Sequence, residues 1–281
     1  MTTLVGMVTF GLLDFTKLTI KSIRETTISD IDFYVIVGKP RDIETVGFLE
    51  SEGIPYKAHK YNYGFPYSIN DIYDYAWKDN NYDNLILVGN DIVAYPNCID
   101  SMINLANNSD YELISASQLE VRNLVELYPQ TRDQFAKLNY IFTDFTKEPW
   151  KEFKDFDLEQ SIEELEQADI QNACLYKRSV FDTIGYTDVN FYPAYFVDND
   201  YAKRCFTFGI KSCALTNARF FHFWSRTIKQ GSGGSTNKYF EANRYYYRKK
   251  WGGEVGKETI QAPIKISSRD NEITDINKWR R

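Results

Sequence analysis

The stretch "LILVGNDIVAYP", residues 85–96, runs four apolar residues into Gly-Asn-Asp, so a buried strand ends beside the carboxylate of Asp91, with no basic residue close by in sequence. An acid in that place caps a helix, forms a turn or holds a cation. Asp91 lies too far ahead of the helix expected at Pro96-Asn97 to cap it. A divalent ion bridging a diphosphate needs only one or two protein carboxylates, because substrate oxygens and waters fill its other positions. "VDNDYAKRCF", residues 197–206, sets Asp198 and Asp200 at the start of a second helix. One of the two can serve the helix dipole while the other points into a cleft. A helix start holds a carboxylate ionised, as a general base must be before it takes a proton; two capping acids is the competing reading. "FFHFW", residues 220–224, carries His222, one of two histidines, between an apolar strand and the glycine-rich stretch "SRTIKQGSGGSTNK". Asp91 with His222 makes a mixed oxygen and nitrogen donor set suited to Mn²⁺ or Mg²⁺, against a purely structural histidine. His59, in a weak strand, reads as structural. In "YNYGFPYSINDIYDYA", residues 61–76, Gly64 marks a turn and Asn70 lies just inside a helix. Backbone N–H groups there suit a phosphate or ribose, and an ordinary turn with its cap explains the same residues.

These residues need a frame. Apolar runs at 4–10, 32–38, 84–90 and 111–117 read as strands, with 56–61 a weaker one, and 3.6-residue periodicity at 13–26, 41–53, about 69–78 and 97–108 reads as helices. Strand and helix in alternation predict an α/β fold with a doubly wound, mostly parallel sheet, which binds ligands at the carboxyl ends of its strands. Asp91 stands at such an end. The rhythm breaks after residue 117. Residues 118–168, acidic and aromatic with one expected helix, read as an insertion packed over the sheet. Regular structure resumes at 170–185 and 211–224, followed by a polar loop over 225–238 and a basic, tyrosine-rich helix over 238–253. The expected division is 1–117, 118–168 and 169–281 within one continuous domain.

Composition narrows the partners. A net charge of −6 argues against a large nucleic-acid footprint. Aromatic residues make up 16% of the chain, which suits faces on which sugar rings or bases stack. Cys98, Cys174, Cys205 and Cys213 form no C-x-x-C pair and read as buried thiols in a reducing compartment. The N-terminal residues lack a basic start and a small-residue cleavage site, and no apolar run is long enough for a membrane span. The expectation is a cytoplasmic protein; its oligomeric state is not legible.

Taken in order, five segments resemble the GT-A glycosyltransferases, specifically family 2-like enzymes. "VTFG" (8–11) is similar to the first-strand end that contacts the nucleotide, and "NYGFPYSIN" (62–70) to an Asn-x-Gly-Phe…Asn stretch. "LILVGND" (85–91) is similar to the strand ending in an Asp-x-Asp-type metal motif. "NACLYKRSVFDTIGYTDVNFYPAYFVDNDYAKRCFTFGIK" (172–211) is similar to the acceptor-side block, and "HFWSRT" through "NRYYYRKKWGG" to the terminal histidine, loop and helix. The resemblance implies a Rossmann-like GT-A sheet and a metal-dependent, inverting transfer of a sugar from a nucleoside-diphosphate donor, UDP-sugar first, to a glycan, lipid or protein hydroxyl. It implies that Asp91 and His222 hold Mn²⁺ or Mg²⁺ and that Asp198 is the catalytic base. Thr9, Phe10, Gly11, Gly38, Asn62, Gly64, Asn70 and Asn90 would line the nucleotide site, and Arg226 and Lys229 would neutralise phosphate oxygens.

The chain departs from that pattern in places. Gly89 stands where the metal motif has its first acid. "VGKPRD" (37–42) lacks the base-contacting acid expected after the second strand, with Asp42 a poor substitute. Val197-Asp198 has an acid only at its second position. Two other classes stay open: a sugar nucleotidyltransferase, which would favour a glycine-rich, basic signature after the first strand where "TFGLLDFTK" stands, and an inactive sugar- or nucleotide-binding relative.

Overall fold

Thr3–Thr9 (β1) is buried almost throughout, as a strand covered on both faces requires. The computed structural model describes residues 1–119, 145–152, 161–170, 172–223 and 236–270. In chain order the elements are β1, α1 (Leu13–Thr26), β2 (Asp32–Val37), α2 (Ile43–Ser51), β3 (Tyr56–Ala58), α3 (Phe65–Asp74), β4 (Asn84–Gly89), β5 (Ile92–Ala94), α4 (Cys98–Asn108), β6 (Leu113–Leu119), α5 (Pro149–Glu152), β7 (Ile162–Leu165), β8 (Ala173–Lys177), α6 (Arg178–Ile184), α7 (Val197–Thr207), β9 (Ser212–His222) and α8 (Thr236–Trp251).

The strands form one sheet in the order β3-β2-β1-β4-β8-β6-β9-β5, with β7 pairing β9. β1 to β4 pair in parallel, β8 runs against both β4 and β6, and β9 runs parallel to β6. Helices cover both faces. Apolar side chains of α1, α2 and α4 pack on one side of the sheet, with Ile20, Ile23, Leu49 and Met102 against Val5, Met7 and Ile86. Those of α3, α6 and α7 pack on the other, with Ile72, Val180 and Tyr201 around Leu4, Leu85 and Tyr176. The α/β reading of the sequence therefore holds, and six strands share one direction among the described residues.

The differences have physical causes. α3 begins at Phe65, four residues earlier than periodicity predicts, because Gly64 (φ 89°) turns the chain and Pro66 presets the first turn. β5, read in the sequence only as a second short apolar stretch, is a strand because it pairs antiparallel with β9. α1 satisfies its other side: Thr19 Oγ1 donates to the Ile92 carbonyl at 2.7 Å, and the Ala94 N–H donates to Ser22 Oγ at 3.1 Å. Part of the expected insertion joins the sheet, since Ile162–Leu165 pairs with β9 as an edge strand. Its glutamates face solvent, which guards such an edge against pairing with other chains.

The C-terminal helix is locked by charge. Lys250 Nζ lies 2.7 Å from both Asp188 Oδ2 and Asp200 Oδ1; the two carboxylates are buried and the lysine is partly so. Removing the ammonium leaves the buried Asp188 without this counter-charge and Asp200, among the described residues, with Arg204 alone. Lys250→Ala is therefore expected to lose about 3 kcal/mol of stability in urea unfolding; an unchanged midpoint would show that the pair is solvent-screened.

Candidate active site

β4 delivers Asn90 and Asp91 to the carboxyl edge of the parallel strands. The Asn90 amide nitrogen lies 3.3 Å from Thr9 Oγ1, 3.2 Å from Thr16 Oγ1 and 3.4 Å from the Gly11 carbonyl oxygen. It thereby braces the turn after β1, where Gly11 (φ 75°) and Leu12 (φ 60°) are left-handed. The next residue starts β5, and Ile92 stands opposite His222 in the β5–β9 ladder. The Phe223 N–H donates to the Asp91 carbonyl at 3.0 Å. This register brings together two residues 131 positions apart: His222 Nε2 is 3.3 Å from Asp91 Oδ1.

The pair fits a divalent ion. Two donors each about 2.0–2.2 Å from one metal, in neighbouring coordination positions, lie roughly 3 Å apart. One carboxylate and one imidazole suit Mn²⁺ or Mg²⁺. No group of three or more His, Cys, Asp or Glu side chains that could hold a metal occurs among the described residues, so an ion here would need further donors such as substrate oxygens and water. Asn172, just before β8, places its Nδ2 3.2 Å from His222 Nδ1. Sequence reasoning passed over it; the one available signal was an Asn directly ahead of an apolar strand that pairs with β4.

α7 supplies the second centre. Tyr195 (φ 71°) and Phe196 (φ 64°) enter the helix in the left-handed region, a strained approach for side-chain-bearing residues. Asp200 is fully buried: Arg204 Nε donates to Oδ2 at 3.1 Å and Trp251 Nε1 to Oδ1 at 2.9 Å. It anchors α8 to α7. Asp198 instead is exposed. Surrounding chain still desolvates its carboxyl enough to push its pKa up, and the Asp169 charge adds to the rise, against the backbone N–H groups of Asn199 and Asp198. The helix start was expected to favour the ionised form; here desolvation outweighs it. Asp169 thus acts on Asp198 through its charge, and Asn172 lies against His222.

The direction of that shift sets a stability test. A carboxyl with a raised folded pKa penalises folding once the unfolded chain ionises, and the penalty is complete above the folded pKa. Asp198→Asn is expected to raise Tm at pH 7 by no more than a few degrees. The gain should vanish below the ordinary carboxylate value of about 3.9. Differential scanning calorimetry at both pH values measures it, and a lower Tm at pH 7 would contradict the assigned environment.

The remaining sequence candidates divide. Thr9, Phe10, Gly11 and Gly38 meet at the ends of β1 and β2, where the Gly38 N–H donates to the Thr9 carbonyl at 2.8 Å. Thr9 is wholly buried, its hydroxyl donating to the Gly11 carbonyl at 3.0 Å, so it shapes the wall and does not meet a ligand. Asn70 needs the same correction. It is 0% exposed, its Nδ2 donates to the Thr187 and Arg269 carbonyls, and its Oδ1 accepts from Thr187, which uses its amide to clamp α3. Asn62 Oδ1 accepts from the Gly64 N–H at 3.0 Å, shaping the turn, and a side chain at Gly64 would meet Tyr192 at 2.6 Å. Asp42 caps α2 through Thr45 and is not available to a base. His59 is buried with Nε2 2.6 Å from Asp71 Oδ2. Arg226, Lys229 and residues 224–235 lie outside the described residues.

Two features were missed. Lys39 is exposed, without an ion pair among the described residues, and its ammonium lies 3.4 Å from where a Gly11 Cβ would stand. Its signal was a lysine directly after a strand end in "VGKPRD". Phe240 is exposed and packs 5.1 Å from Phe196 and 5.3 Å from Tyr195, giving an aromatic rim beside α7.

No protein-family model matches the sequence and no curated protein matches it. Among solved structures, the chain is similar to the mannosyltransferase PcManGT from Pyrobaculum calidifontis in complex with GDP-Man and Mn²⁺, at a TM-score of 0.55 and 10% identity. The match covers 82% of this chain and spans 58% of the mannosyltransferase. It is also similar to S. aureus TarS residues 1–349, at a TM-score of 0.55 and 10% identity, over 90% of this chain and 74% of that one. The fold is a glycosyltransferase fold. In this fold the Asp91–His222 pair sits at the carboxyl end of β4 and Asp198 on the helix that α8 braces.

Proposed function

We propose that the protein is a metal-dependent glycosyltransferase that moves a sugar from a nucleoside-diphosphate donor to an acceptor hydroxyl with inversion at the anomeric carbon. The observation that carries the reading is the 3.3 Å approach of His222 Nε2 to Asp91 Oδ1 at the carboxyl edge of a glycosyltransferase fold. Residues 1–117 would bind the donor, and 169–281 would carry the base and the acceptor side. A Mn²⁺ or Mg²⁺ ion held by Asp91 and His222 would neutralise charge on the departing diphosphate. Lys39 would meet anionic or carbonyl oxygens of the nucleotide beside Gly11, with Arg226 and Lys229 as further phosphate contacts. Asp198 would accept the acceptor hydroxyl's proton as that oxygen bonds to the anomeric carbon and the carbon–phosphate-oxygen bond breaks. The transition state is oxocarbenium-like, and a single displacement inverts the carbon. A raised pKa lets Asp198 keep the proton it takes. Phe240, Tyr195 and Phe196 would offer an acceptor an aromatic face.

UDP is the first donor base to test. A neighbour's complex with GDP-Man makes GDP the second. The four cysteines are buried free thiols, which supports a reducing, cytoplasmic setting. No helix among the described residues is long and apolar enough to cross a membrane. Gly89 at the first position of the metal motif supports one rival, an inactive nucleotide-binding relative, because it removes a carboxylate.

Thermal shift across UDP, GDP, other nucleoside diphosphates and their sugars, with and without Mn²⁺, tests the reading. At 100 times Kd a ligand adds about 2.7 kcal/mol to folding stability. Stabilisation by UDP or GDP that needs Mn²⁺, followed by turnover of the matching sugar donor, is expected. No stabilisation by any nucleotide would contradict it, and Mn²⁺-dependent binding without turnover would favour the rival.

A further inference from the structure

We propose that Asn172 is the positioning residue of the site's imidazole: its amide governs which nitrogen of His222 carries the proton, and it has room to do so because position 89 has no side chain. The consequence for cation binding rests on the glycosyltransferase reading; the effect on the imidazole does not.

The contacts form a chain. The Gly89 N–H donates to the Asn172 carbonyl at 2.9 Å, so the ladder between β4 and β8 extends to these residues and fixes the Asn172 backbone. A Cβ on Gly89 would stand 3.0 Å from Asn172 Oδ1, 3.4 Å from its Cβ and 3.3 Å from Asp91 Oδ1. The Asn172 side chain and any side chain at 89 therefore compete for one volume. From there Asn172 Nδ2 reaches His222 Nδ1 at 3.2 Å, and His222 Nε2 faces Asp91 Oδ1 at 3.3 Å.

Chemistry assigns the amide its part. A neutral imidazole has one N–H and one bare nitrogen. While Asn172 donates to Nδ1, the proton is on Nε2 and directed at Asp91. A cation on Nε2 needs the lone pair there, so the proton must sit on Nδ1 and requires an acceptor. A half-turn of the Asn172 amide supplies Oδ1 for that purpose. An amide serves both states; a carboxylate serves only the second, and a methyl group neither. Gly89 and Asn172 thus form one device, in which a missing carboxylate next to the metal pair is exchanged for a neutral group behind the imidazole.

The chain has two histidines, so long-range ¹H–¹⁵N NMR resolves both rings. His59, buried against Asp71, reports whether each variant keeps its fold. In metal-free wild type, Nδ1 of His222 is expected to be unprotonated. In Asn172→Asp it should become protonated, and in Asn172→Ala its resonance should move as the hydrogen bond is lost. Gly89→Ala should shift the same resonance by crowding the amide, and the Gly89→Ala/Asn172→Ala double variant should match Asn172→Ala alone. Mg²⁺ affinity in the presence of UDP or GDP should fall about 10–100-fold in Asn172→Ala. An Nδ1 resonance identical in wild type, Asn172→Ala and Asn172→Asp overturns the inference. If Mg²⁺ with nucleotide moves no His222 resonance while Asn172→Asp still protonates Nδ1, the metal reading fails and the positioning role stands.

Discussion

Asp198→Asn is expected to lower kcat by about 10²–10⁴-fold while leaving Mn²⁺-dependent affinity for the nucleoside diphosphate within about twofold of wild type. The split follows from position. Asp198 opens from the first turn of α7, whereas the proposed cation pair lies at the ends of β4 and β9. The substitution preserves shape and removes only the ability to take a proton. The acceptor hydroxyl must lose its proton as it attacks, and without a base a high-energy oxonium has to form first. The acid limb of kcat/KM gives the same residue a second signature. Because desolvation raises the Asp198 pKa, activity should fall with decreasing pH at a midpoint above the ordinary value of about 3.9. Near-normal turnover in the variant would remove Asp198 from the mechanism while leaving donor binding untouched.

Asp91→Ala is expected to act at the other step. It removes the sole carboxylate of the proposed cation pair, so Mn²⁺-dependent nucleotide affinity should fall on the order of 100-fold or more, since even partners behind a metal ligand are worth 10–100-fold. Affinity measured without metal should change little. Isothermal titration with UDP or GDP, with Mn²⁺ and with EDTA, separates the two quantities. Retained Mn²⁺-dependent affinity in Asp91→Ala would show that the ion arrives on the diphosphate and needs no protein carboxylate.

The sequence made some of this legible and hid the rest for identifiable reasons. β1, β2, β4 and α1 were readable because continuous apolar runs and 3.6-residue periodicity are local signals, and α1 spans Leu13–Thr26 as the pattern predicts. β5 and β7 were not, since three- and four-residue strands owe their existence to pairing with β9, a non-local contact. Asp91 and His222 stood out by residue type at strand ends; their 3.3 Å separation needed the β5–β9 register, which no local pattern encodes. Asn70 misled because an asparagine after a glycine turn looks the same in sequence whether its amide faces a cleft or a buried carbonyl. Only Thr187 and Arg269, brought close by the tertiary fold, decide the matter. Asn172 was overlooked for the converse reason: its importance comes from the space above Gly89 and the ring beside it.

The most direct measurement is electron–nuclear double resonance on the Mn²⁺ complex with the nucleoside diphosphate, using protein labelled with ¹⁵N-histidine. The expected result is a ³¹P coupling from the diphosphate together with one directly bonded ¹⁵N coupling, the nitrogen signal disappearing in His222→Ala and persisting in His59→Ala. A ³¹P coupling with no histidine nitrogen would contradict the claim that Asp91 and His222 hold the cation beneath the donor.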